Sequence, residues 1–254
     1  MVRWLVQSLG LFTPLVTIIG ILAGGWWTAS TLVLALVVYP ILDLLLGDSS
    51  KTDSLEESRA FDFIVHTHGI LVPVVIATLL YQAYFDYNSF IWLAAVSVGL
   101  SSGASGIITA HELGHRRPKS RSWWLSRLDL LCVLYLHFTV EHNHTHHKHW
   151  AKPIDPTSSP WKRNFYVHFF RTIPLQLMGA YRAKPKDFRY SMLVQLTLLA
   201  TLLIISPILL GVFLLQAVVA IFLLEFVNYL QHHGLVRGDD ERANAGHAWE
   251  SRNR

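Results

Sequence analysis

The chain has 254 residues, of which 52% are hydrophobic and only 15% charged, and its mean hydropathy is +0.36. That composition excludes an ordinary soluble globule. A single cysteine, Cys132, excludes a disulfide framework and any fused four-thiolate metal module. A formal net charge of +4 is too small to suggest a nucleic-acid partner.

Residues 4–22 carry no charge; as a helix rising 1.5 Å per residue they would cross roughly 28 Å, about the hydrocarbon thickness of a bilayer. The length predicts a first membrane span. Gly24 and Gly25 turn the chain into a second, residues 26–46, and both spans are expected to remain in the mature protein. Residues 61–85 and 90–109 give a third and fourth, joined by a short turn. The apolar stretch 191–230 is about twice the length of one crossing. Ser206, Pro207 and Gly211 divide it into spans 191–208 and 210–230.

Residues 123–140 are apolar at their centre but interrupted by Arg127, Asp129 and His137, so they are expected at the interface rather than across the membrane. A crossing there would move the basic part of the 110–190 loop, from Lys148 to Arg189, to the outer face, against the positive-inside bias. Six spans instead put all 21 Lys and Arg on one side. That side is expected to be the cytoplasm, with both termini there. The expected fold class is therefore all-α: one polytopic membrane domain over residues 1–254, with six transmembrane helices and a histidine-rich metal site at the cytoplasmic face.

The fourth span ends in His111-Glu112-Leu113-Gly114-His115, and residues four apart on a helix point the same way, so two imidazoles can face one metal. A membrane zinc metalloprotease would use this motif with Glu112 as general base. Glu141-His142-Asn143-His144-Thr145-His146-His147 adds a second four-apart pair, His142 and His146, with His147 beside it. Such a protease, which needs three ligands, has no use for these donors. Near the inner end of the sixth span Glu225, Asn228 and His232 share one stripe. A carboxylate inside a span is costly and finds a partner, so Glu225 is expected to orient an imidazole. A metal transporter would string its donors along a path within the bilayer, whereas these lie at one face. Neutral imidazoles suit iron, copper or zinc, and spacing does not choose among them. His144, His149 and His233 read as surplus to coordination, and Asp62, His66 and His68 as snorkelling or helix-pairing residues.

In these motifs the chain resembles the bacterial integral-membrane alkane hydroxylases, also called alkane 1-monooxygenases, within the wider group of histidine-box membrane desaturases and hydroxylases. His111 to His115 is similar to that family's first box, and Glu141 to His147 to its second, with Thr145 where glycine is usual. The stretch Asn228 to Leu235 resembles the signature that separates alkane hydroxylases from desaturases, with Gln231 for glutamate and His233 for tyrosine. Weaker echoes are Leu42-Asp43 through Gly47, Asp155-Pro156 and His247-x-Trp249.

The resemblance implies that His111, His115, His142, His146, His147 and His232 hold two non-heme iron ions. Glu112 and Glu141 are then candidate catalytic carboxylates that fix imidazole orientation, with Glu225 and Asn228 behind them. It further implies hydroxylation of the terminal methyl of medium- or long-chain alkanes to primary alcohols with dioxygen. Electrons would come from a separate rubredoxin and its reductase, since Cys132 is alone. The implied location is the bacterial inner membrane; by its charge the basic loop would meet anionic lipid headgroups, the default reading, or an acidic electron carrier. A fatty-acyl desaturase or an aryl-methyl hydroxylase of the same group is the nearest alternative, and the zinc metalloprotease a more distant one. In the family a further box, Leu-Gln-Arg-His-x-x-His-His, follows the region resembling His247-x-Trp249; the sequence stops at Arg254 before it. The chain is thus expected to be a truncated fragment that holds iron weakly.

Overall fold

The computed structural model describes residues 8–46 and 59–249, so the start of the first expected span and the 47–58 loop lie outside the described residues. In chain order the helices are α1 (Leu9–Ala23), α2 (Gly25–Leu45), α3 (Arg59–Phe85), α4 (Ile91–Gly114), α5 (Arg121–Cys132), α6 (138–149), α7 (Phe165–Ala183), α8 (Pro185–Ile205) and α9 (Pro207–His232). Among the described residues there is no strand, only one bridge between Ser159 and His233. Five helices, α2, α3, α4, α8 and α9, are long and apolar enough to cross a membrane, and α1 is a shorter apolar helix. This is a multi-pass, all-α membrane protein, and six spans accord with it.

The boundaries differ from the sequence reading in ways that matter for the site. Helix α4 runs five residues past the expected end, so the whole first box except His115 is helical. Helix α8 starts at Pro185 rather than 191, because proline suits the first helical position, where its missing N–H costs nothing. The 110–190 stretch is not a loop but carries three helices. Two open with a side-chain cap: Ser120 Oγ accepts from Trp123 N at 3.2 Å, and Asn164 Oδ1 from Val167 N at 2.9 Å. Helix α5 has 12 residues, roughly 18 Å and too short to cross. It breaks at Val133–Leu134, where Leu134 takes a φ of 56°.

The chain divides into two compact units, residues 1–134 with 199–220 and residues 135–198 with 221–254. In the first, close helix approach is set by small residues, since lipid gives no hydrophobic drive to helix pairing. A Cβ on Gly99 of α4 would stand 2.5 Å from Val219 Cβ and 2.6 Å from Gln216 O. Polar bonds tie the helices: Thr17 to Thr31 at 2.8 Å, Ser126 Oγ donating to Ala110 O at 2.6 Å, and Gln216 Nε2 donating to Cys132 O at 2.7 Å.

In the second unit the stretch 151–163 is stitched to the chain that follows α9. Gly234 N donates to Ser159 O and Arg237 N to Ala151 O, each at 2.7 Å. Gly234 sits at φ 75° against the Trp161 ring, where any Cβ would clash at 2.5 Å. Trp249 closes the end of α9: its backbone N donates to Gln231 O at 2.8 Å and its indole to His233 O at 2.9 Å.

Candidate metal centre

The first box lies in the first unit. The rings of His111 and His115 meet edge to face with centroids 4.6 Å apart, and their Nε2 atoms stand 3.1 Å from each other. Two donors each about 2.1 Å from one metal adopt roughly this separation. Between them Glu112 turns aside to Arg116 at 3.3 Å, and Arg116 also pairs with Asp62 at 2.9 Å. The carboxylate of Glu112 is thus held in an ion pair at a partly exposed surface.

The second box and His232 lie in the second unit. Helix α6 widens into a π turn over His142–His146, with His147 N donating back to His142 O, five residues earlier. Such widened turns gather at functional sites because they re-aim side chains. Here the turn brings His142 against His147, with centroids 4.4 Å apart and ring nitrogens within 4.8 Å. The four-apart partner, His146, stacks on His142 at 5.1 Å but directs its other edge elsewhere.

His146 is held by a polar clamp that sequence reasoning missed. Its Nδ1 lies 2.6 Å from Thr157 Oγ1 and 3.1 Å from Asp155 Oδ2. Thr157 Oγ1 also donates to Asp155 Oδ2 at 2.8 Å, as does Ser158 Oγ at 2.6 Å. The threonine has one proton and gives it to Asp155, so the proton between ring and clamp belongs to Nδ1 of His146. The ring is fixed as the tautomer with a lone pair on Nε2, the arrangement a metal-binding histidine takes from a carboxylate behind it. Burial alone would push the Asp155 carboxyl up; the hydrogen bonds from His146, Ser158 and Thr157 outweigh it and hold Asp155 below its ordinary value. A signal was available in Asp155-Pro156-Thr157-Ser158, since an aspartate commonly bonds the backbone two residues on. Thr157 N does donate to Asp155 Oδ1, at 3.3 Å.

His232, at the last turn of α9, is buried and its ring centroid lies 5.1 Å from that of His146. Its Nδ1 has no hydrogen-bond partner among the described residues. Trp150 stands edge-on to it at 5.8 Å. The second unit thus brings His142, His146, His147 and His232 together. The donor set fits a transition metal: imidazoles only, one locked in a coordinating tautomer and one buried with an unsatisfied nitrogen.

Glu141 and Glu225 are both wholly buried but differ in their partners. Neither oxygen of Glu141 has a hydrogen-bond partner among the described residues. Burial first, then the Asp155 and Glu225 charges, push its carboxyl up to about 9, so it stands as a neutral acid beside His142. Glu225 is satisfied: Tyr135 OH and Gln176 Nε2 each donate to Oε1 at 2.9 Å, and Asn228 Nδ2 to Oε2 at 3.4 Å. Its hydrogen bonds run to a phenol and two amides. Gln176 belongs to a buried stripe on α7, His168, Thr172, Gln176 and Ala180. Of the histidines read as surplus, His233 packs on Trp161 and Tyr229, with Ser159 Oγ 3.4 Å from its Nδ1.

Residues 88–254 match the family model described as fatty acid desaturase. Alkane 1-monooxygenase 1 of Alcanivorax borkumensis is 28% identical over 281 residues, covering 98% of this chain and 68% of the relative. Alkane 1-monooxygenase 1 of Pseudomonas aeruginosa is 30% identical over 259 residues, covering 89% and 67%. Alkane 1-monooxygenase of Pseudomonas putida is 28% identical over 280 residues, covering 98% and 69%.

Proposed function

From the premise that this chain belongs to the fatty acid desaturase family, a group of histidine-box membrane oxidoreductases, we propose that it hydroxylates the terminal methyl of medium- or long-chain alkanes. One observation carries the reading: an all-imidazole donor cluster stands in a chain similar over nearly its whole length to alkane 1-monooxygenases. In the proposed reaction dioxygen and two electrons convert a methyl C–H to a primary alcohol; the second oxygen leaves as water with two protons. The electrons come from rubredoxin and its reductase. The two units act as one domain in the bacterial inner membrane, with the termini on the cytoplasmic side.

His111, His115, His142, His146, His147 and His232 would hold two non-heme iron ions, which when bound supply the oxygen-activating redox chemistry. Asp155 and Thr157 keep the Nδ1 proton of His146 in place and so present its Nε2. Glu141 is buried with no hydrogen-bond partner among the described residues, and burial favours its protonated form, so it is the candidate proton source. Tyr135, Gln176 and Asn228 fix Glu225 through three donated bonds, which holds the inner end of α9 and with it His232.

The test is purified full chain loaded with iron and supplied with rubredoxin, reductase and octane or hexadecane under labelled dioxygen. One labelled oxygen in the primary alcohol is the expected product. The family match favours a second reading, acyl desaturation, in which the same assay with a fatty acyl substrate yields a double bond and no labelled oxygen in the lipid. Protein that binds zinc alone and oxidises neither substrate would sink both.

A further inference from the structure

The second unit holds a cavity of about 200 Å³ formed by residues 151–156 and 158–160, Arg163, Arg171, Leu175 and residues 235–236, several times the roughly 30 Å³ share of one water. Its polar lining is cationic and hydroxylic: Lys152, Arg163 and Arg171 with Ser158 and Ser159. Lys152 is already engaged, its Nζ donating to Asp239 O at 2.8 Å. The guanidiniums of Arg163 and Arg171 have no carboxylate within ion-pair distance among the described residues. They lie close enough to repel, since burial and then the Arg171 charge lower the Arg163 guanidinium below its ordinary value. The carboxylate that lines the cavity, Asp155, is 3% exposed and accepts from His146, Thr157 and Ser158, and it forms no ion pair with either guanidinium. Two unopposed guanidiniums at one cavity cost energy unless an anion joins them, and their forked donors match phosphate oxygens.

The rim indicates where the anion comes from. Ile154 and Val236, which line the cavity, are 69% and 70% exposed. Helix α7 buries a largely polar stripe and turns Tyr166, Val167 and Phe170 outward. Apolar and aromatic side chains facing out around a basic hollow are the arrangement of a protein surface at lipid headgroup depth.

We propose that this cavity is a binding site for a phosphate ester group, with Arg163 and Arg171 as its clamp and the Ser159 hydroxyl as a further donor. The rim favours an anionic phospholipid headgroup as the source. The floor of the site is the same stretch whose Asp155 carboxylate clamps His146. An occupied cavity would therefore brace that stretch.

The test uses the full chain in neutral detergent, melted thermally against dioctanoyl phosphatidylglycerol, dioctanoyl phosphatidylcholine and inorganic phosphate. Phosphatidylglycerol should stabilise at a concentration at least about tenfold lower than phosphatidylcholine. The Arg163→Gln/Arg171→Gln variant should lose that preference. Lys184→Gln/Lys186→Gln, which removes the same charge outside the cavity, should keep it. If the double variant does not fold, the exposed Arg171→Gln alone should weaken the preference. Inorganic phosphate that saturates the effect and displaces the lipid would assign the site to a soluble phosphate. Equal responses to the two lipids, or an unchanged preference in the arginine variants, would overturn the proposal.

Discussion

Asp155 accepts from four groups, and only one of them, the His146 ring, belongs to a proposed ligand. Replacing it by asparagine keeps the shape but removes the charge that favours the Nδ1 proton. Partners of this kind typically contribute 10- to 100-fold to metal affinity. Asp155→Asn should therefore lose iron to a competing chelator about that much more readily, read as iron per chain, with its melting temperature close to the parent. Equal retention would show that the clamp is structural. His168 offers a separate check away from the proposed ligands. Burial first, then Arg163, with Arg171 and His233 adding and Asp155 opposing, bring it from 6.5 down to about 4. Between those values the unfolded chain binds a proton that the folded chain refuses, so stability is fully present above pH 6.5 and falls as pH drops toward 4. His168→Phe should flatten that acid limb in thermal melts and leave the neutral end nearly unchanged. Neither residue was legible as important from sequence. Asp155 stands out only as an Asp-Pro echo, because a clamp made by residues 9 and 11 positions from their target leaves no periodic trace, and His168 has no histidine near it in sequence.

At the scale of helices, hydropathy revealed the spans well, since a lipid-facing helix has few ways to vary. It failed between residues 110 and 190, where the stripe α7 buries is His168, Thr172, Gln176 and Ala180. A polar inside and an apolar outside invert the pattern by which amphipathic helices are recognised. The second box was read with α-helical spacing, which pairs residues four apart; the π turn pairs residues five apart, so His147 takes the place beside His142. Spacing alone does not distinguish the two turns. The glycines give the sharpest test at this scale. On Gly99 a Cβ meets backbone at 2.6 Å, whereas on Gly69 it meets the tip of Leu125 at 2.9 Å, which can rotate. Gly99→Ala should destabilise by about 1–3 kcal/mol in detergent unfolding, and Gly69→Ala by clearly less. The reverse order would mean that the helix contact at Gly99 is looser than described.

For the molecule as a whole, the placement of every Lys and Arg on one side of six spans predicts that residue 162 faces the cytoplasm. Lys162→Cys in a Cys132→Ser background should resist a membrane-impermeant thiol reagent in intact cells and react once the membrane is opened. Strong labelling in intact cells would refute the arrangement. Cys132 should itself label slowly, because burial, reinforced by the Asp129 charge, pushes its thiol well above the ordinary range. The stitching of the second unit also constrains biosynthesis. Ser159 meets His233 across 74 positions, Arg237 reaches Lys148 across 89 and Tyr135 reaches Glu225 across 90. A ribosome adding roughly 5–20 residues per second delivers the second histidine box several seconds before the segment that fixes the loop behind it. The box and its Asp155 clamp thus exist before α9 and the residues after it can stitch that stretch in place. A metal ion arriving in that interval would meet an incomplete donor set, since His232 has yet to be made.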